Sequence, residues 1–183
     1  MDFNFEEREK KLKKLRTWLK NNNIEEIIHR LEDIDPIVRA EAIMILGNVG
    51  FQYLTSPLIA ALNDNDEHVK YCAIEALGKI GSTGSAEFII NSVHDSSEFV
   101  KCKAINVLGK MYTLDSLKFL MKMMIDTSPN IYKEAGLALE EMLDYPVCEE
   151  KLTSFFEDNA PMQNRFPELY EMIVLRNRIK NRF

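Results

Sequence analysis

The sequence is poor in residues that break helices and in features that mark disulfide-rich or membrane proteins. Glycine occurs 7 times and proline 6 times in 183 residues, which leaves room for long helices and little for turns between strands. The three cysteines are an odd number without CxxC or Cys/His spacing, so we expect reduced thiols in a cytoplasmic protein. They are Cys72, Cys102 and Cys148. No apolar run reaches about 18 residues, and charge begins at Asp2, so neither a membrane span nor a secretory signal is expected.

A strongly basic surface is also missing. The formal net charge is −6, with +3 on residues 1–20, −12 on residues 21–164 and +3 on residues 165–183. An acidic middle repels phosphate, so nucleic acid is excluded as the expected partner. The apolar fraction of 46% and the charged fraction of 28% are typical of a globular chain. We therefore expect one domain over residues 1–183.

What the sequence does contain is a period of 31 residues, which aligns four segments without a gap. The first aligned position is apolar and precedes Arg, Lys or Tyr, at Val38, Val69, Val100 and Ile131. The aligned alanines are Ala42, Ala73, Ala104 and Ala135. The aligned leucines are Leu46, Leu77, Leu108 and Leu139. Each copy also has an aspartate, at Asp33, Asp64, Asp95 and Asp126. Glycine follows the leucine at Gly47, Gly78 and Gly109, and Glu140 replaces it in the fourth copy.

Each copy is predicted to form two helices. In the first copy, apolar spacing predicts a leading helix over about residues 24–32. Asp35 and Pro36 then form an N-cap followed by proline at the first helical position, and Gly50 is suited to end the second helix. The predicted core stripe of that helix is Val38, Ala42, Ile45, Leu46 and Val49. Neither helix is long enough to be stable alone, so stacking of the hairpins must supply the burial.

This pattern resembles the HEAT-like repeats named after phycobilin lyases, over about residues 24–143. The resemblance implies an all-α, right-handed α-solenoid of stacked hairpins, with about ten helices. We expect an N-terminal capping helix within residues 1–23 (about 4–20), four repeats in 24–146 and a divergent C-terminal cap in 147–183. In that cap, residues 158–161 are predicted to form a loop. Pro167 is predicted to begin a last helix, running to about residue 181, that is apolar nearly all round at residues 172–175.

The sequence lacks a constellation for catalysis or metal binding, so we expect no enzyme, no cofactor and no metal. Deoxyhypusine hydroxylases share this repeat type but bind iron through repeated His-Glu pairs. Here His29, His68 and His94 are followed by Arg, Val and Asp. HEAT-like DNA glycosylases need a basic face with aromatic residues, whereas the middle of this chain is acidic and its only tryptophan, Trp18, fits the core of the cap.

Several recurrent residues have a structural interpretation that is preferred to a functional one. Arg39, Lys70 and Lys101 are expected to pair with the recurrent aspartates of neighbouring repeats, rather than to form a basic binding stripe. The recurrent glycines lie in no phosphate-binding motif, so they are also expected to be structural. Cys72 and Cys102 are expected to be small fillers of the helix surface, with a partly exposed pair of thiols as the alternative.

A partner is expected on the face of the second helices opposite the core stripe, which should line the concave side of the solenoid. In the first copy this face holds Ile37, Ala40, Met44 and Gly47. The equivalent positions vary between copies, and they include more apolar and aromatic residues than a solvated face needs. The candidate partner-binding residues are Ile37, Met44, His68, Tyr71, Glu75, Phe99, Cys102 and Lys110.

The predicted function is therefore a non-catalytic scaffold or adaptor that binds another protein or peptide on its concave face. One alternative is an accessory subunit of an enzyme, of the phycobilin-lyase type. Another is a structural module that self-assembles, with the C-terminal helix as the possible contact.

Overall fold

The computed structural model describes residues 5–126 and 129–180, which form twelve α-helices, four 3₁₀ turns and no strand. The helices are α1 (Phe5–Lys20), α2 (Ile24–Ile28), α3 (Pro36–Val49), α4 (Thr55–Ala60), α5 (Glu67–Ile80), α6 (Ala86–Ser92), α7 (Glu98–Met111), α8 (Leu114–Asp126), α9 (Pro129–Met142), α10 (Pro146–Asp158), α11 (Ala160–Arg165) and α12 (Pro167–Lys180). The chain divides into two compact units, Met1–Ala104 and Ile105–Phe183, and the division falls within α7. The predicted α-helical composition is confirmed, although about ten helices were expected.

The leading helices of the first unit are shorter than predicted. α2 ends at Ile28 and continues as a 3₁₀ turn, His29–Glu32, and α4 likewise continues as a 3₁₀ turn, Ala61–Asn63. The prediction of one continuous α-helix over residues 24–32 is thus wrong in its last turn. The backbone N–H of Asp33 donates to the carbonyl of Arg30 three residues earlier, which tightens the turn and uses a carbonyl that the helix end leaves unpaired.

The second helix of the first repeat begins and ends as the sequence predicts. The Asp35 carboxylate accepts a hydrogen bond from the backbone N–H of Ile37 at 3.0 Å, and Pro36 occupies the first helical position. Gly50 ends α3 with φ of 75°, and Gly81 ends α5 with φ of 67°. Both glycines adopt the left-handed conformation, which a side chain makes costly.

Four residues of the predicted core stripe are buried, whereas Val49 is half-buried, and α3 is buried on a second side as well. Val38, Ala42 and Leu46 are fully buried. Ala40 and Gly47, which were predicted to face a partner, are also buried, so that part of the prediction is wrong. The reason is close packing between second helices, because a methyl group on Gly47 would lie only 2.6 Å from the Cβ of Ala76 on α5. The exposed face of α3 is therefore narrower than the helical wheel indicated.

The N-terminal helix packs on the first hairpin through the fully buried Leu15. α1 begins at Phe5, and residue 4 of the predicted helix lies outside the described residues. Trp18 is half-buried beneath the guanidinium of Arg30, whose Cζ lies 5.3 Å from the ring centroid. This contact is consistent with Trp18 belonging to the cap.

In the second unit, α8 packs against α9 around the fully buried Leu120, Met124 and Leu139. A methyl group on Gly109 would lie 2.8 Å from the Cβ of Ala138, which repeats the approach of Gly47 to Ala76. In the recurrent Leu-Gly pair, the leucine therefore lies in the core and the glycine permits two helices to cross closely. Gly47 and Gly109 accordingly have the structural role that the sequence predicts.

The C-terminal part differs from the prediction between α10 and α12. The expected loop over residues 158–161 is wrong, because α10 extends to Asp158 and α11 begins at Ala160. Only Asn159 separates them, and its side-chain amide donates to the carbonyl of Phe155 at 2.8 Å. Pro161 lies in the first turn of α11, where proline is compatible with a helix. α12 begins at Pro167 as predicted, and residue 181 lies outside the described residues.

Candidate functional site

The recurrent basic and acidic residues of the first unit pair with one another. The guanidinium of Arg39 on α3 donates two hydrogen bonds, each of 2.7 Å, to the carboxylate of Asp64 in the next repeat. Lys70 on α5 donates to Asp95 at 2.5 Å in the same way. Each aspartate also accepts a backbone hydrogen bond within its own loop, from Asp66 and from Ser97 respectively. Arg39 and Lys70 thus join neighbouring repeats, as predicted, and do not form a free basic stripe.

The basic residues of the N-terminal helix α1 also pair with aspartates, but the partners are shifted relative to the other repeats. Arg8 aligns with Arg39, yet it bonds Asp35, while Lys11 donates to Asp33 at 2.8 Å. Burial raises the pKa of Asp33, but hydrogen bonds from Lys11 and from the backbone N–H of Asp35 outweigh it and leave the pKa below 3.8. The carboxylate of Asp33 therefore stays ionised and holds α1 to the first hairpin.

Three of the predicted partner-binding residues form a stack of rings on the first unit. Tyr71 and Phe99 have centroids 4.3 Å apart and an interplanar angle of 10°, and His68 lies nearly parallel to Tyr71 at 6.5 Å. His68 and Phe99 occupy equivalent positions of neighbouring repeats, and Tyr71 is one turn after His68, so the period itself brings the rings together. Phe99 is 54% exposed. We call His68, Tyr71 and Phe99 the aromatic stack.

A row of polar contacts borders the aromatic stack. Lys103 places its Nζ 4.5 Å from the centroid of Tyr71 and donates to Glu75 at 2.7 Å. Glu75 also pairs with Lys79 at 3.1 Å, and Lys79 donates to Asn48 at 3.0 Å. These contacts fix the position of Tyr71 from its polar side, because the cation lies against the ring while the carboxylate holds the cation.

The charges in this row stabilise each other. Hydrogen bonds from Lys103 and then Lys79 lower the pKa of Glu75 below 4.5. Burial lowers the pKa of Lys103, but its hydrogen bonds to Glu75 and Tyr71, together with the charge of Glu75, outweigh that effect and leave the pKa above 10.5. Both groups are thus charged at neutral pH. Lys103 was missed from the sequence; its position four residues after Phe99 was the available signal.

The remaining candidates lie on the same helices but outside these contacts. Ile37 is 45% exposed and Met44 is 39% exposed, both on α3. Cys102 is half-buried on α7. Lys110 is exposed and belongs to the second unit. The structure therefore brings together His68, Tyr71, Phe99 and Glu75 of the predicted set.

The expectation of no Cys/His spacing is wrong, because Cys72 and His68 are four residues apart on α5 and in contact. The pair does not have the properties of a catalytic pair. The Sγ atom lies 3.8 Å from Nε2 of His68. Burial, followed by the charge of Glu75, raises the pKa of Cys72 to about 11. Because the thiolate is the nucleophile, a thiol with this pKa is largely unreactive at neutral pH. Cys72 is buried rather than on the helix surface, where it was predicted.

The described residues include no group of three or more His, Cys, Asp or Glu side chains placed to hold a metal ion. In the same part of the chain, no helix is both long and apolar enough to cross a membrane.

Comparison with known proteins agrees with the repeat architecture. Residues 24–101 match the family of HEAT repeats, whereas no curated protein matches the chain. Solved structures with the same fold include a designed armadillo repeat protein, with a TM-score of 0.55, 18% identity and coverage of 88% of this chain and 86% of that one. Another is an engineered protein from a structural genomics consortium, with a TM-score of 0.53, 17% identity and coverage of 88% and 83%.

These matches define the class of the protein as an all-α solenoid with HEAT-like repeats, and that prediction is confirmed. At 17% and 18% identity the structural likeness shows the fold alone. Nothing in it bears on the phycobilin-lyase type, which stays a prediction.

Proposed function

We propose that this chain is a non-catalytic scaffold that binds a peptide or helix of another protein across its second helices, with the aromatic stack as the anchor. The observation that carries the proposal is that stack: three nearly parallel rings lie outside the core, and the largest apolar one is more than half exposed. Rings supply a large contact area at low entropic cost, and they are common among residues that dominate binding energy.

The surroundings of the stack support a protein partner. The row from Lys103 to Asn48 offers charges of both signs beside the stack. On α3, Ile37 and Met44 are exposed apolar side chains at the positions equivalent to His68 and Glu75. An apolar centre with a polar border is the usual composition of a protein interface. HEAT-like repeats serve many functions, so this surface, and not the fold, supports a protein partner. As part of the proposal, the free thiols of Cys72, Cys102 and Cys148 favour the cytoplasm.

The test uses two matched pairs of stacked surface rings. Wild-type protein is used to capture and identify a partner, whose affinity is then measured for Tyr71→Ala/Phe99→Ala and for Phe51→Ala/Tyr53→Ala. The control rings are also stacked, with centroids 5.5 Å apart, and they are 46% and 59% exposed. We expect the first variant to weaken binding more than about tenfold, equivalent to about 1.4 kcal/mol, and the control to have little effect.

Thermal melting decides how a loss of binding is interpreted. Both double variants should melt close to the wild type, because all four rings lie outside the buried core. Unfolding of Tyr71→Ala/Phe99→Ala would contradict the proposal by showing that the rings are core residues. Equal affinities of the variant and the wild type would place the binding surface elsewhere.

A second candidate function is self-association through α12. Leu175 is 59% exposed and Met172 is 37% exposed on that helix, in a run that also includes the buried Ile173. Measurement of molar mass over a range of protein concentrations distinguishes the two functions. A dimer that Leu175→Glu converts to a monomer would favour self-association.

A further inference from the structure

The second unit has an open cleft of about 360 Å³ beside α9. Its walls come from α9 and from the residues that end α11 and begin α12. Its lining includes Tyr132, Leu137, Glu140, Phe166 and Glu168. Leu137 and Glu140 lie at repeat positions equivalent to Met44 and Gly47. The cleft therefore lies, in the fourth repeat, on the face of the second helix that the sequence predicted to bind a partner.

Two departures from the repeat give the cleft its walls. Glu140 stands where the other copies have glycine, so this position presents a carboxylate instead of permitting a close helix crossing. One turn earlier, Gly136 leaves room for Phe166, since a methyl group there would lie 2.8 Å from the Phe166 ring. The ring of Phe166 meets that of Tyr132 edge to face, with centroids 5.5 Å apart. The result is an aromatic wall beside an acidic one.

Two cations line the same cleft, but neither forms an ion pair with Glu140 among the described residues. Glu140 is half-buried and, within the part of the chain that the structure describes, it has neither a hydrogen bond nor an ion pair. Burial, followed by the like charge of Glu168, raises its pKa above 4.5. The two cations are Lys133 and Arg165. Arg165 lies over the Tyr132 ring of the aromatic wall, with its Cζ 4.0 Å from the ring centroid, and its guanidinium donates to the carbonyl of Ile125 at 3.3 Å.

We propose that this cleft binds the cationic side chain, arginine or lysine, of a peptide from another protein. The alkyl part of such a side chain would lie against Leu137 and Phe166, and its charged end would lie between Glu140 and Glu168. Both kinds of side chain combine an apolar stem with a cationic tip, which matches one apolar and one acidic wall. The cleft belongs to a different unit from the aromatic stack, and its binding of a cation does not depend on the function proposed for the stack.

The experiment titrates the full-length protein with single amino acids while methyl NMR signals are recorded. The probes are N-acetyl-arginine amide and N-acetyl-lysine amide, and the control probe is N-acetyl-citrulline amide, which has the shape of arginine without its charge. We expect the two cations to shift the Leu137 methyl signals in a saturable manner. Citrulline should shift them about tenfold more weakly or not at all, because it lacks the charge-assisted contact.

Two variants assign the effect to the cleft. Glu140→Gln should weaken the binding of arginine about tenfold or more. Glu141→Gln removes the same charge from an exposed neighbour on α9 and should leave binding unchanged. At neutral pH Glu140→Gln should melt no lower than the wild type, because ionised Glu140 is half-buried beside Glu168. Binding by the wild type should strengthen as the pH rises and Glu140 loses its proton in the field of Glu168, Lys133 and Arg165.

Three results would overturn the proposal. The first is that citrulline shifts the Leu137 signals as strongly as arginine does. The second is that Glu141→Gln weakens binding as much as Glu140→Gln does, which would indicate attraction to the acidic surface in general. The third is that Mg²⁺ or Ca²⁺, added at the same concentration, displaces arginine from the Leu137 signals, which would make the carboxylates a metal site.

Discussion

Equivalent positions have different residues in the two units, and the differences fall at helix ends and helix crossings. In the first unit α3 and α5 end on Gly50 and Gly81, both with positive φ. In the second unit the same position at the end of α7 is Tyr112, which keeps a positive φ of 51° although it has a side chain. Its ring stacks on Tyr145, with centroids 4.0 Å apart. The positive φ is thus retained, although tyrosine replaces the glycine that normally permits it.

The position after the recurrent leucine shows the same contrast. Gly47 in the first unit and Gly109 in the second lie at close crossings with alanine. Glu140 has no such role and lines a cleft instead. A residue that recurs at equivalent positions is therefore one that the repeat needs for folding. A residue that differs from the other copies occupies a position that can serve another function. This distinction supports different proposals for the aromatic stack and for the cleft.

The largest expected effect tests the shared part of the two units. Leu77 and Leu139 occupy equivalent positions, and both are fully buried. Replacement of either by alanine should lower the free energy of unfolding by about 2–5 kcal/mol, through lost burial and the cavity left behind. Urea denaturation measures both values. Leu137→Ala is the control, because Leu137 is 56% exposed two residues before Leu139, and a loss as large as that of Leu139→Ala would mean that the core side of α9 is misassigned.

An intermediate effect tests the helix ends. Gly81→Ala should cost about 1 kcal/mol, because a side chain at positive φ is strained and nothing lies within 4 Å of the added methyl group to compensate. Tyr112→Gly should be more stable than Tyr112→Ala by a similar amount, about 1 kcal/mol, since both variants lose the ring but only glycine relieves the backbone. Thermal and urea unfolding of all three variants provide the comparison.

Equal stabilities of Tyr112→Gly and Tyr112→Ala would contradict this view of the helix ends. In that case the strain assigned to Tyr112 would not be present, and the two units would differ in backbone as well as in sequence.

The features that the sequence predicted well are those in which one residue type has one physical use. Asp35 with Pro36 located the start of α3, and Gly50 located its end, because capping and left-handed geometry restrict the choice of residue. The pairing of Arg39 with Asp64 was predicted for a similar reason, since the period places the basic residue of one repeat beside the aspartate of the next.

The features that were missed depend on contacts that the period does not encode. Ala40 is buried because α5 packs close to α3 at Gly47, and a wheel drawn for one helix does not include its neighbour. The cleft depends on Phe166, which lies outside the four repeats, so nothing in the alignment of Glu140 revealed it. The 3₁₀ turns after α2 and α4 follow from a choice between hydrogen bonds three and four residues apart, which apolar spacing does not determine.

The smallest expected effect is a difference in the sign of the pH dependence. Burial raises the pKa of Asp64 in the first unit, but hydrogen bonds from Arg39 and from the backbone N–H of Asp66 leave it below 3.8. Its stabilising contribution is therefore present above pH 3.8 and is lost as the pH falls towards the folded-state pKa. For Glu140 in the second unit, burial and Glu168 raise the pKa above 4.5. Its protonated form is favoured on folding, so stability is lost as the pH rises above 4.5.

Asp64→Asn and Glu140→Gln separate these two signs, because each substitution removes a charge with little change in shape. Urea denaturation from pH 3 to pH 7 should show Asp64→Asn less stable than the wild type at pH 7, by up to about 1 kcal/mol, with the difference narrowing as Asp64 is protonated. Glu140→Gln should match the wild type at acidic pH and exceed its stability by a few tenths of a kcal/mol at pH 7. Glu141→Gln reports the effect of net charge alone. If both variants diverge from the wild type in the same direction, net charge rather than local environment controls the response, and the electrostatic contrast between the units is wrong.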